Sequence, residues 1–157
     1  MTSLNKELEL DRPIEDVRHE TVLNLVHTAN LLSLHGAALF RRFGLTEAQF
    51  NVLFALKYKK SDWTQSDLGK RLVVTRASVT SVLDKLEAKA LVKRSPVAGN
   101  RRIYHVEITR KGLDVVDKVE PIYRRNIHRV LSGLDDAGCR QLIRRLEHIR
   151  EQAAAQS

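Results

Sequence analysis

Thr75, Arg76, Ser78, Thr80 and Ser81 crowd the start of a stretch that otherwise reads as a helix, so short hydroxyls surround a single arginine on its opening turns. Such groups suit a nucleic-acid groove. Serine and threonine let a helix sit close to phosphates and base edges, and arginine can reach guanine O6 and N7 through two hydrogen bonds. The free N–H groups of a first helical turn also attract phosphate. Val79, Val82, Leu83 and Leu86 fall on one stripe of the same helix, which leaves the polar groups and Lys85 for another surface. A second cluster, Arg101 and Arg102, follows the Gly99-Asn100 turn, where arginine is favoured against a narrow minor groove. Thr64 and Gln65 stand at the head of a preceding short helix, placed with Lys85 to help on phosphates.

Other chemistries find less support. His19, His27 and His35 are spaced eight apart, which turns each about 80° from the last on a helix of ~3.6 residues per turn, so they share no face and no metal site is expected. Cys139 lies on an apolar stripe, where a thiol is usually inert, and as the single cysteine it can form no internal disulfide. No G-x-S-x-G, Walker loop, H-E-x-x-H or glycine-rich dinucleotide turn occurs, so neither an enzyme nor a cofactor is expected.

The charge has a definite location. The chain of 157 residues carries 27 Lys+Arg against 19 Asp+Glu, a net charge of +8. Residues 64–111 hold eleven basic and four acidic side chains, a net of +7 that leaves the remainder at +1. Concentration of charge in one segment is the electrostatic footprint of a polyanion partner.

The elements that would position these groups are mostly helical. Asp11 and Pro13 suggest a helix start, and Val17 to Phe43 is helix-compatible, with leucines on nearly every face. Such a helix needs partners all round, so a second subunit is expected. Thr46 and Gln49 form a capping-box pattern ahead of a second helix that ends near residues 57–61. Thr64 caps a short third helix and Thr75 a fourth, a helix-turn-helix arrangement. The pattern then changes to period two. Residues 91–95 and 102–108 read as two strands joined through residues 96–101, with Lys93 and Arg94 putting basic groups at the base of the ribbon. Thr109 caps a fifth helix, which Pro121 should kink, and residues 135–150 form a sixth with one apolar face.

This order resembles the multiple-antibiotic-resistance regulator (MarR) family of winged helix-turn-helix transcription factors over about residues 14–150. The resemblance is carried by 64-TQSDLGKRLVVTRASVTSVLDKLEAKALVKR-94 and 100-NRRIYHVEITRKG-112. It implies a mainly α fold with a small β-hairpin wing, a winged helix-turn-helix core at 46–109, and flanking dimerisation segments at 1–45 and 110–157. It also implies a homodimer on an inverted-repeat operator in double-stranded DNA, usually as a repressor, and release by a small lipophilic or phenolic anion. The corresponding pocket would draw on His35, Leu39, Phe43, Phe50, Phe54 and Trp63. Arg102 matches the wing arginine. Asn100 stands where the family usually has aspartate, and Ala90 where it usually has glycine. The alternative is an architectural nucleic-acid binder without sequence preference. No apolar run reaches the ~18 residues of a spanning helix, and the N-terminal residues do not read as a signal peptide, so a cytoplasmic protein with no membrane partner is expected.

Overall fold

The computed structural model describes residues 3–59, 62–72, 76–97 and 99–156, with the backbone alone at residues 3, 71, 76–78, 101 and 102. Its elements run α1 (Ser3–Glu7), α2 (Val17–Arg41), α3 (Glu47–Lys57), β1 (Trp63–Thr64), α4 (Gln65–Arg71), α5 (Arg76–Ala88), β2 (Val92–Val97), β3 (Asn100–Ile108), α6 (Arg110–Val130) and α7 (Asp136–Ala154). The chain divides into two compact units, Met1–Val119 and Glu120–Ser157. The mainly α fold with a small antiparallel sheet is therefore as expected.

Helix boundaries follow local hydrogen-bonding chemistry. The cap of α2 is Asp16, whose carboxylate accepts from the Arg18 N–H at 2.8 Å; Asp11 lies outside the helix, correcting the start read from sequence. Thr46 and Gln49 form the expected reciprocal capping box on α3. Thr64 does the same with Asp67 on α4. Helix α6 continues through Pro121. Helix α1 has no counterpart in the sequence reading, which found six helices, because five residues show no period.

The sheet is also larger than a hairpin. Its order is β1-β3-β2, with Trp63 opposite Val106 and Thr64 opposite His105. A strand of two residues carries no alternation to read. In the hairpin, Val97 pairs with Asn100, so Pro96, Val97, Asn100 and Arg101 belong to the strands rather than to the connection. Pro96 is tolerated because β2 is an edge strand, and the register shifts between Pro96 and Val97. Gly99 turns the chain at φ +80°.

The core of the first unit joins Phe40, Phe50, Leu53 and Leu56 to Leu68, Val79, Leu83, Leu86, Val92 and Val106, all almost fully buried. Phe40 and Phe50 stack with ring centroids 4.3 Å apart. Each such side chain contributes about 1.5–3 kcal/mol relative to exposure. In contrast, α2 exposes Val22, Val26, Leu32 and Leu34, and α7 buries no residue at all.

Two helices end in the same turn with different residues. After α2, Gly44 adopts φ +70°, and the Leu45 N–H reaches back to the Phe40 carbonyl at 3.0 Å. After α5, Ala90 adopts φ +57°, and the Leu91 N–H reaches back to Leu86 at 2.9 Å. Both are Schellman turns. Alanine in this left-handed region costs roughly 1–2 kcal/mol, which the burial of Leu86 and Leu91 outweighs. Around the second turn, the Thr109 N–H donates to Leu91 at 3.0 Å and its hydroxyl to the Ala90 carbonyl at 2.7 Å. The Gly112 N–H donates to the Thr109 hydroxyl at 3.1 Å. A Cβ at Gly112 would lie 2.2 Å from the Leu91 carbonyl oxygen, so only glycine allows this approach.

Ala90→Gly should raise stability by about 1 kcal/mol, less than the full relief of strain because glycine loses more freedom on folding. Denaturant unfolding checks this; a destabilised variant would show that the turn is not strained. Gly112→Ala should cost about 2 kcal/mol or more, since backbone rather than a flexible side chain must yield, again read from the unfolding midpoint.

Candidate nucleic-acid interface

Helices α4 and α5 are coupled through polar contacts on their outer side. The Gln65 amide donates to the Thr80 hydroxyl at 2.5 Å, which brings two of the expected DNA-contact residues together. Ser81 and Lys85 are exposed on α5, while Val79, Leu83 and Leu86 are buried beneath them. Thr64 is engaged at the start of α4. Its hydroxyl donates to the Asp67 carboxylate at 2.7 Å and its oxygen accepts the Asp67 N–H, so it serves the helix cap. Thr75 lies outside the described residues. Arg76 and Ser78 open α5, and Arg101 and Arg102 lie at the start of β3, where the backbone places them beside the Gly99 turn.

Arg94 ties the wing to α5. Arg94 on β2 donates from Nε at 2.9 Å and from Nη2 at 2.5 Å to Glu87, and from Nη2 to Asp84 at 2.7 Å. Its backbone N–H also donates to Glu87 at 3.2 Å. Paired carboxylate and guanidinium stabilise each other's charged forms. The hydrogen bond from Arg94 holds the Glu87 carboxyl below its ordinary value, and the bond to Glu87 raises Arg94. Lys93 pairs with Glu107 at 2.7 Å across the hairpin. The basic cluster expected at the wing base is thus committed to neighbouring carboxylates, a correction to the charge reading. Glu87 and Asp84 stand seven and ten residues before Arg94, a separation with no meaning until the chain turns back at Ala90.

Other cations of the basic segment are engaged too. Lys89 donates to the Gly44 carbonyl at 2.6 Å and Lys111 to the Lys89 carbonyl at 2.9 Å. Arg110 pairs with Asp114. Lys70 and Lys85 are exposed.

Between α5 and the wing lies a cleft of about 790 Å³, lined in part by Gln65, Thr80, Glu87, Arg94 and Tyr104. None of the six residues read as a ligand pocket lines it. Leu39 and Phe50 belong to the core, whereas His35 is exposed on α2. Phe43 and Trp63 are half-buried. Phe54 is partly exposed and continues a run of ring contacts, at 5.7 Å from Phe50 and 4.9 Å from Tyr58. Among the described residues, no three His, Cys, Asp or Glu side chains form a metal-binding group. No described helix is long and apolar enough to cross a membrane.

A helix pair whose second member turns a polar face outward beside a three-stranded wing defines a winged helix-turn-helix protein. Comparisons with known proteins agree. The sequence model of the MarR family matches residues 43–103. The HTH-type transcriptional regulator MhqR of Bacillus subtilis (strain 168) is 30% identical over 108 residues, covering 67% of this chain and 74% of MhqR. Among solved structures, AbsC, a MarR family transcriptional regulator from Streptomyces coelicolor, superposes with a TM-score of 0.81 at 21% identity, over 92% of this chain and 99% of AbsC. MepR from S. aureus, solved as a complex with DNA, gives 0.77 at 21% identity, over 83% and 96%. The chain belongs to the MarR family and is a DNA-binding transcriptional regulator, not an enzyme.

Acid should loosen the wing joint. Glu87 has a lowered folded value, so its contribution is complete above the ordinary 4.5 and is lost as pH falls below that, through the lowered value. Thermal unfolding of the native chain and Glu87→Gln should differ at neutral pH, and the gap should close on acidification. A gap independent of pH would assign the difference to packing instead.

Proposed function

We propose that the chain acts as a homodimer that binds an inverted-repeat operator in double-stranded DNA and represses transcription from it. The observation that carries this reading is the outward polar face of α4 and α5, where Gln65, Thr80, Ser81 and Lys85 lie over a buried apolar stripe. Arg76 and Ser78, in the first turn of α5, serve in this reading as its principal readers of base edges. Arg101 and Arg102 enter the adjacent minor groove from the wing. In functional terms, residues 46–109 form the DNA-binding part and residues 1–45 and 110–157 the dimerisation part.

The dimer is supported by apolar surface that one chain leaves uncovered. Val22, Val26 and Leu34 on α2 are each more than half exposed, and the second unit exposes Leu131, Leu134, Leu142 and Ile143. A soluble chain rarely leaves so much apolar surface open without a partner. With two recognition helices about 34–36 Å apart, half-site centres would lie ~10 bp apart. A small lipophilic or phenolic anion is proposed as effector, received near Phe54 and His35, where an exposed aromatic edge and an exposed imidazole are available.

Selection of bound duplexes from a random pool should recover an inverted repeat bound about 10³-fold or more tighter than scrambled DNA. Equal affinity for every duplex would instead indicate an architectural binder. On the selected duplex, Arg76→Ala should cost roughly 1–3 kcal/mol and relax preference at one base position. A loss uniform over all sequences would make Arg76 a phosphate contact.

A further inference from the structure

Gln65 reaches from the first turn of α4 to the second turn of α5, where its amide donates to the Thr80 hydroxyl at 2.5 Å. Packing does not require this bond. Thr80 is exposed and Gln65 half-buried, and the apolar residues that these helices bury, Leu68, Val79 and Leu83, lie beneath them. The bond does decide what Thr80 shows to its surroundings. Threonine carries a hydroxyl and a methyl on the same carbon, and in a helix its side chain divides between two staggered rotamers. A donor fixed at Oγ1 selects between them. With the hydroxyl turned toward α4, the methyl is the group left to face outward. Thr80 also stands at the edge of the surface open to a polyanion. Asp84, one turn further on, and Glu87 are the carboxylates that hold Arg94, and their charge turns phosphate away from that side of α5.

Resting on the DNA-binding reading above, we infer that Gln65 is a positioning residue: it holds the Thr80 hydroxyl toward α4 and so presents the Thr80 methyl to the major groove, where it distinguishes thymine by its 5-methyl group. Among the four bases only thymine carries that group, and a threonine methyl is one of the side-chain groups that meet it. The effect of Gln65 is therefore on base preference, and it passes through Thr80. This separates it from the phosphate contact that the sequence suggests for Gln65, which would add affinity on any duplex alike.

The test uses the full chain and the duplex recovered by selection, with each thymine replaced in turn by deoxyuridine, which lacks only the methyl group. At one thymine in each half-site the replacement should weaken the native chain about fourfold, the effect of burying roughly one methyl group. Thr80→Ser keeps the hydroxyl without the methyl, and should bind thymine and deoxyuridine equally at that position. Gln65→Met, similar in length but without the donor, should lose most of the discrimination there while keeping the native unfolding midpoint and the preferences at other positions. Thr80→Val carries a methyl in place of the hydroxyl, so it should keep the discrimination and make Gln65→Met silent in the double variant. Discrimination unchanged in Gln65→Met would assign it to Thr80 alone, and an equal loss on every duplex, scrambled DNA included, would make Gln65 a phosphate contact. Either result overturns the inference. A native chain that selects an operator yet ignores deoxyuridine at every position also overturns it, and leaves the regulator standing. A native chain that prefers no duplex removes the operator reading itself, and this inference with it.

Discussion

The left-handed turn at Ala90 is the constraint on which the arrangement of the first unit depends. Recognition helix, wing and α6 all meet there. The Leu91 carbonyl accepts from Thr109, and the Ala90 carbonyl accepts the Thr109 hydroxyl. Lys111 reaches the Lys89 carbonyl, and Lys89 itself reaches back to Gly44 at the end of α2. Glycine at 112 lets the first turn of α6 rest on the Leu91 backbone. A turn tied from so many sides can hold alanine in a conformation it disfavours by roughly 1–2 kcal/mol, because leaving it would expose Leu86 and Leu91 and break several hydrogen bonds together.

Given that turn, Arg94 can return to α5 and clamp it. The clamp changes what the basic segment means. A formal excess of seven charges over residues 64–111 suggests a uniformly positive surface. In the folded chain, Arg94, Lys93 and Arg110 are spent on carboxylates, and Lys89 and Lys111 cap carbonyl groups. Lys70 and Lys85 are left exposed.

Thr64 and Gln65 illustrate how one motif can divide its labour. Both precede the same short helix, yet Thr64 turns inward to close a capping box and Gln65 turns outward to hold Thr80. The capping pattern was readable as a local signal because it involves residues three apart. The Gln65–Thr80 contact was not, because fifteen residues and a change of direction separate the partners.

Much of the local chemistry was legible. The capping box at Thr46, the cap at Thr64, the apolar stripe of α5, the strands flanking Gly99 and the family motif from residue 64 onward are all short-range patterns, and each determines an element or its end. They sufficed for the fold class, for the face of α5 that turns outward and for the family. Contacts between segments distant in sequence were decided by packing. Pairing of the two-residue strand β1 with β3, commitment of Arg94 to Glu87 and Asp84, and the meeting of Tyr104 and Thr80 in the lining of one cleft leave no periodic trace in the chain. The physical reason is that secondary structure reports the hydrogen bonding of neighbours, whereas a cleft is made by side chains that meet only after the chain has turned at Ala90.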